Sequence, residues 1–460
     1  MRLSRSQVRC KAGNFQRVEF EEQQLSSFGG LVLLRTFFSS LGLISTLRSL
    51  FRQKEKGSAY PLHKLVLLLI VHLLLGFRRF RDAQTYRHDP ILCHIVGLKR
   101  IPDTSTWLRQ LAKVDKETLE NFWAFISNMV ISKLARRKFP RITLDFDGSV
   151  LSTKRRAEDS AVGFNKAKKG GRSYYPLLCT VAQTGQVFDC LHRPGNVHDS
   201  NGAFEFIRIC MERVRQKASK AKLEARMDSA FYCEGLVYLL LDMGAEFSIS
   251  VPFEKFPGLK EQIEGITQWS RENNGCSFAE LSWKPKSWSE HPVRFIVQRK
   301  RQKKQIKGPL QLDLFEPRDF EFTYSVLVSN KKGPCRLVAA FHQGRGSQES
   351  IFGELKTQLQ MDYIPSKRLI VNRLFMAAAV LAHNLLHEWQ MQWKPRRAKR
   401  DNRTRAPHWE FLSAYTIRDR YLRRAARITR PKNVSTVTIS AAKGIAKEFR
   451  VIAEIMNRAA

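Results

Sequence analysis

From about residue 25 to 140, apolar residues recur at the three- and four-residue spacing of helices, most clearly in Leu65–Phe77, Pro90–Val96 and Leu119–Leu134. The pattern predicts an all-helical N-terminal domain over residues 1–140. Within it, Pro102-Asp103-Thr104-Ser105 supplies a helix start with Asp103 or Thr104 at the N-cap, followed by Trp107, Leu108 and Leu111. That helix belongs either to a helix-turn-helix that docks on DNA or to an ordinary helical bundle. At Arg141 the period changes from helical to alternating, and Ile142 to Leu151 reads as a strand. Further strands are predicted at Tyr175–Val181, Val187–His192, Leu223–Met227 and Phe247–Val251, with helices at Gly202–Arg215 and Glu234–Met243 between them. This alternation predicts an α/β core with a central sheet.

Residues 254–340 interrupt that core with strands at Arg294–Gln298 and Phe322–Ser329 and a basic run, Arg299 to Lys304. They are expected to form a β-rich insertion. Helices at Ser347–Leu359 and Leu369–Trp393 follow. The expected division is therefore 1–140 helical and DNA-binding, 141–253 with 341–393 catalytic, 254–340 inserted, and 394–460 a basic C-terminal region.

Composition sharpens the partner. The 460 residues are 43% hydrophobic, enough to bury substantial cores, and 79 Lys+Arg against 42 Asp+Glu leave a net charge of +37. Such an excess points to a polyanion. The stretch from Lys394 to Lys432 alone holds fourteen basic residues against three acidic ones. The apolar run Leu65–Phe77 carries His72 and is too short to span a bilayer, so no membrane partner is expected. Residues 1–15 lack an apolar core after their basic residues, which predicts no secretory signal and a cytoplasmic protein. Eight cysteines are scattered singly with no zinc-binding spacing, and read as reduced, mostly buried small residues.

Three acids stand out. Asp147 ends an apolar strand just before Gly148-Ser149, and Asp228 ends a second strand in Ala225-Arg226-Met227-Asp228-Ser229. A carboxylate at the end of a central strand is costly unless paired or metal-bound. Glu349 shares a predicted helical stripe with Arg345 and Lys356. Taken singly, each is as well explained by a cap, a turn or a solvated ion pair. Together, on a chain this basic, they suggest phosphoryl transfer on nucleic acid, where carboxylates hold two divalent ions about 3.5 to 4 Å apart.

The motifs resemble those of the DDE transposases of bacterial insertion sequences. Asp147-Gly148-Ser149 is similar to the family's first-strand element, and Arg226-Met227-Asp228-Ser229-Ala230-Phe231 to the element carrying the second acid. Gly163-Phe164-Asn165, Ser173 to Leu178 and Arg193 to Asp199 resemble the intervening segments. Phe341 to Lys356 resembles the Tyr-x2-Arg-x3-Glu-x6-Lys signature with Arg345, Glu349 and Lys356 in register, and Asn372 and Ala382 to Leu386 resemble the closing helix. Two departures stand out. His342 replaces the signature tyrosine, and Asp145 lies two residues before Asp147 on the same strand face. Asp147 is preferred as the first acid because Gly and Ser follow it.

The resemblance implies a ribonuclease H-like mixed sheet with flanking helices, and Asp147, Asp228 and Glu349 as catalytic ligands of two Mg²⁺, for which Mn²⁺ can substitute. It implies that Arg345, Lys356 and His342 contact DNA, and that a homodimer acts on double-stranded transposon ends and target at the bacterial nucleoid. Trp283 and Trp288 in the insertion either stack on an unpaired base or pack internally. His198 and Asp199 lie either near the metals or in a turn. A structure-specific nuclease on the same scaffold and an inactive transposase-derived DNA-binding protein are the competing readings.

Overall fold

The computed structural model describes residues 24–52, 59–154, 156–163, 168–198, 201–270, 275–301, 322–398, 403–431 and 434–459. The chain divides into two compact units, residues 1–110 with 415–460, and residues 111–414. The first opens with a short strand, β1 (Leu25–Ser26), and helices α1 (Leu31–Ser40), α2 (Leu43–Leu50), α3 (Leu62–Leu74) and α4 (Pro90–Val96). Nearly every side chain of α3 is buried, including His72, so the apolar run is a core helix. Asp89 caps α4 by accepting a hydrogen bond from Leu92 N (3.0 Å), Pro90 fills its first turn, and Gly97 ends it with φ +73°. Helix α5 (Thr104–Leu111) begins where its capping signal predicts, the Asp103 carbonyl accepting from Trp107 N (2.9 Å). Trp107 is fully buried and donates its indole N–H to Leu65 O of α3 (3.2 Å), which makes α5 a packed member of the helical unit.

The second unit begins with α6 (Lys116–Arg137), capped by Asp115 on Thr118 N (2.7 Å). The sequence places α6 in the N-terminal helical domain. Its apolar side chains Val130, Ile131 and Leu134 instead join the core around the sheet, because they are the surface that covers it. That sheet starts with β2 (Arg141–Gly148). The short strands β3 (Leu151–Thr153), β4 (Ala161–Val162) and β5 (Arg172–Tyr174) form a separate three-stranded sheet in the order β3-β5-β4. Then come β6 (Leu177–Val181), β7 (Gln186–Leu191), helix α7 (Ala203–Lys217), β8 (Lys222–Met227), helix α8 (Glu234–Asp242), β9 (Glu246–Val251) and helix α9 (Pro257–Glu264). The segment 254–340 contributes β10 (Cys276–Leu281), β11 (Arg294–Arg301) and β12 (Phe322–Ser329), and β12 pairs antiparallel with β9 through Val326↔Val251 to Ser329↔Ser248.

The result is one eight-stranded mixed sheet in the order β10-β11-β12-β9-β8-β2-β6-β7. Only β2–β8 and β8–β9 are parallel; the other pairs are antiparallel. The expected mixed α/β sheet is present, and the strands of the inserted segment extend it. One face is apolar: Phe146 of β2 meets Phe206 of α7 edge-on at 6.2 Å, amid Leu144, Ala225 and Met227. The other face receives helices α10 (Cys335–Gln343) and α11 (Ser347–Gly353), with a π-helical turn (Glu354–Gln358) that continues α11, while α12 (Leu369–Trp393) lies against the edge strand β7, where Asn384 accepts from Val187 N (2.9 Å) and donates to Val187 O (2.7 Å). Helix α12 is long and apolar enough to cross a membrane, but 83% of its apolar window is buried inside the protein, as a core helix is.

The chain then returns to the first unit with β13 (Ala426–Thr429), which pairs with both β1 and β14 (Thr436–Ile439), and helix α13 (Lys443–Ala459). Two arginines from this return serve the end of α3. Arg418 Nε donates to Leu74 O (2.7 Å) and Arg423 Nη2 to Leu75 O (2.6 Å), satisfying carbonyls that a helix terminus leaves without partners. Gly76 turns the chain there at φ +78°, and a Cβ in its place would lie 2.7 Å from the Arg418 guanidinium. The region 394–460 is thus split between the units, and part of its positive charge is structural.

Candidate active site

The two central parallel strands alternate strictly, and on one face they carry polar residues in register. Thr143, Asp145 and Asp147 project from β2 beside Glu224 and Arg226 of β8 and Asp228 just after it, with Thr143↔Glu224 and Asp145↔Arg226 as direct neighbours. At the buried end, Glu224 is wholly enclosed and receives Arg405 (2.7 and 2.8 Å), Arg141 (2.9 Å), Lys331 (2.8 Å) and the Thr143 hydroxyl (2.6 Å). Burial pushes its carboxyl up, but the Arg405 and Lys331 hydrogen bonds and charges prevail and hold it far below the usual carboxylate range. The sequence reading missed this group. The period-two spacing Glu224, Arg226, Asp228 was the available signal.

One step along, Arg226 and Asp145 are both fully buried and joined by a bidentate pair, Nε to Oδ1 at 2.5 Å and Nη2 to Oδ2 at 2.8 Å. Arg226 Nη1 also donates to Phe341 O (2.8 Å) and Thr404 O (2.7 Å). Burial pushes the Asp145 carboxyl up while the Arg226 fork pulls it back. Asp145 is therefore committed to a structural ion pair, and Asp147 is the acid that faces outward.

Asp147 and Asp228 come next in register, immediately after the Phe146↔Met227 pair, so two half-buried carboxylates stand at the ends of adjacent parallel strands. Each also serves its own turn: Asp147 Oδ1 accepts from Gly148 N (2.8 Å) and Asp228 Oδ1 from Ala230 N (3.0 Å). Gln348 donates its amide to Asp145 O (3.0 Å), which ties the start of α11 to the same strand and leaves the neighbouring Glu349 exposed. The predicted continuous helix over 347–359 is broken into α11 and the π-helical turn, and Arg345 lies in a 3-10 turn (Gly344–Gly346) before them. Arg345 Nη1 pairs with Asp147 Oδ2 at 2.9 Å. Burial lowers the Lys356 ammonium below its ordinary value, against the pull of Asp362 and Asp147.

His342 is a correction. Expected on DNA, it turns onto the sheet, where Nδ1 lies 2.9 Å from Ser248 Oγ and Nε2 2.9 Å from Ser250 Oγ. Burial, together with Arg345 and Arg226, lowers its pKa to about 3, so it is neutral. The two serines of β9 explain the placement, because they give both ring nitrogens partners. Trp283 packs edge-on against Phe295 (5.0 Å) and Phe256 (5.4 Å), and Trp288 stacks on Tyr232 (4.9 Å), so internal packing accounts for both indoles. Arg299 lies over Trp269 (4.2 Å) and Phe322 (4.7 Å), while residues 302–307 of its basic run lie outside the described residues. The carbonyl of His198 accepts from Asn201 N (3.0 Å), a turn contact; Asp199 and Phe164-Asn165 lie outside the described residues. All seven described cysteines are free thiols, and Cys10 is outside the described residues.

Half-buried carboxylates backed by rigid strand ends suit hard divalent ions, which take oxygen donors. Among the described residues, the one group of three such ligands with donor atoms all within 4.8 Å is Glu354, His383 and His387. The donor atoms of Asp147, Asp228 and Glu349 do not all lie within that distance of one another.

No curated protein matches the chain. Among solved structures, a piggyBac transposase synaptic complex with hairpin DNA is similar at a TM-score of 0.41 and 11% identity, covering 93% of this chain and 81% of that one. The family of transposase DDE domains, group 1, matches residues 10–460. Spanning nearly its whole length, that match makes this chain a member of the DDE transposase family.

Proposed function

We propose that this transposase binds the ends of an insertion sequence and performs Mg²⁺-dependent DNA strand cleavage and strand transfer, with Asp147, Asp228 and Glu349 holding two divalent ions. The observation that carries the reading is the pair of outward carboxylates at the ends of adjacent parallel strands, with α11 anchored beside them through Gln348. Bound ions would activate water or a terminal 3′-hydroxyl and stabilise the leaving oxygen. The chain itself supplies position and charge. Asp147 and Asp228 present oxygens from strand ends that cannot move without breaking the ladder. Arg345 offers a planar fork to phosphate oxygens and Lys356 a point charge. Double-stranded DNA is the partner, engaged by a homodimer because joining two ends requires two active sites, and the protein works in the bacterial cytoplasm at the nucleoid.

The test replaces Glu349 with Gln and supplies an end-bearing duplex with Mg²⁺ or Mn²⁺ and a target plasmid. DNA binding should persist while nicking and joined products disappear. Full cleavage by Glu349→Gln would refute the assignment, and cleavage without joining by the wild type would identify a nuclease instead.

A further inference from the structure

Behind the strand ends lies a second set of ligands that the proposed chemistry does not use. His383 and His387 are four residues apart on α12, so both rings leave one helix face, with centroids 4.2 Å apart. Each ring gives one nitrogen to a backbone carbonyl of the β6–β7 turn: His383 Nε2 to Gly185 O and His387 Nδ1 to Thr184 O, both at 2.9 Å. A carbonyl only accepts, so these nitrogens carry the protons, and His383 Nδ1 and His387 Nε2 are left as lone pairs. Both are buried and neither has a hydrogen-bond partner. They face Glu354 Oε2 of the π-helical turn at 3.8 and 3.9 Å, too long for a hydrogen bond to either ring. Glu354 Oε1 is held in place by Ala414 N (2.7 Å). The histidine side chains are 0% and 6% exposed and that of Glu354 16%.

Three electron-rich atoms thus converge in a buried space, an arrangement that a bound cation satisfies. We infer that Glu354, His383 and His387 form a structural binding site for a first-row transition-metal ion of the zinc class. The donor set selects the ion: two imidazole nitrogens and one carboxylate oxygen suit zinc, whereas magnesium prefers oxygen alone. The outer contacts are those of a metal-bound histidine, whose far nitrogen donates to a carbonyl. A regular tetrahedron at zinc–nitrogen lengths of 2.0–2.1 Å puts ligand atoms roughly 3.4 Å apart, a few tenths of an ångström inside the 3.8 and 3.9 Å from Glu354 to the two rings. Gly185 admits this packing, since a Cβ there would lie 3.0 Å from His387 Cε1. The ion would staple the segment carrying Glu349 and Lys356 to α12 and the β6–β7 turn. Glu354, His383 and His387 are then positioning residues, with no contact to the reacting atoms.

The experiment reads metal content in the full chain, independently of whether it cuts DNA. Protein made in zinc-supplemented medium and desalted without chelator is analysed by mass spectrometry of its metals and by X-ray absorption at the zinc edge. We expect one zinc per chain with two imidazoles in its shell, kept by Asp147→Asn and lost by Glu354→Gln. The weakening in Glu354→Gln should exceed the roughly 10- to 100-fold cost of losing an outer contact. Should Glu354→Gln fail to fold, the wild-type absorption spectrum still decides, because fewer than two imidazoles overturns the site. Absence of zinc together with absence of a cobalt(II) d–d band on titration also overturns it and leaves a hydrogen-bonded cluster. Zinc lost by Asp147→Asn but kept by Glu354→Gln would place the ion elsewhere and overturns it equally.

Discussion

Asp145 and Asp147 lie two residues apart on one strand face, yet replacing each with Asn should have opposite consequences. Asp145 is 1% exposed and its partner Arg226 is fully buried, with both oxygens bound at 2.5 and 2.8 Å. Removing that charge leaves a guanidinium enclosed without its counterion, which costs about 3–5 kcal/mol, and about 3 if the Asn oxygen keeps one hydrogen bond. Asp147 and Arg345 have side chains 20% and 19% exposed, so water reaches this pair and not the enclosed one, and it contributes less, about 1 kcal/mol. Seven of the eight tryptophans lie in residues 111–414, so urea unfolding followed by their fluorescence reports on the unit holding both acids. With a slope near 3 kcal/mol per molar, Asp145→Asn should lower the midpoint by about 1 M. Asp147→Asn should barely move it but abolish cleavage. Adding Arg226→Met to Asp145→Asn should recover part of the loss, since it removes the stranded charge, while the Asn amide and the Phe341 and Thr404 carbonyls are left without Arg226 as a partner. Equal midpoint shifts for the two single variants would refute the assignment of Asp145 to structure and Asp147 to chemistry.

Acid should destabilise the fold through its enclosed histidines. His342 and His72 both have pKa values lowered to about 3, chiefly by burial, against an ordinary value of 6.5. The unfolded chain therefore binds the proton more tightly, and stability that is complete above pH 6.5 falls as pH drops, by about 2 kcal/mol per histidine at pH 5. Denaturation midpoints at pH 7 and 5 measure this, and an unchanged difference in His342→Asn would exclude that residue as a source. Gly76→Ala should cost more than about 1 kcal/mol, because alanine is strained at φ +78° and its Cβ meets Arg418; an unaltered thermal midpoint would contradict it. Affinity for duplex DNA should fall by roughly 10³–10⁵ between 50 and 200 mM salt if six to ten phosphates are neutralised. A flat salt response in a binding titration would exclude that footprint.

Local pattern was a good guide to elements and a poor one to partners. Alternation over 142–151 and 223–227 located β2, which ends three residues earlier at Gly148, and β8, and the apolar run at 369–393 located α12, because period and length are local properties. The Asp-Gly-Ser and Arg-x-Asp motifs likewise brought Asp147 and Asp228 to neighbouring strand ends. What the sequence hid depends on distant segments. Arg405 reaches Glu224 across 181 positions, and His342 turns to two serines of β9 that lie 92 and 94 residues away. No periodicity announces such pairings. Two strands of 254–340, β11 and β12, read as strands from their pattern and β10 does not, and their continuation of the main sheet rests on the edge that β9 offers to β12.

The wide turn at Glu354–Gln358 divides one helical rod between two tasks. Because each π-helical residue advances through a smaller angle than an α-helical one, the rod lags behind its own earlier course after Gly353. Glu354 can then look inward at the histidines while Lys356, two residues on, leaves the rod in another direction. Deleting a single residue here would restore ordinary winding and hand each side chain its neighbour's direction, so the length of this turn matters as much as the two side chains it carries.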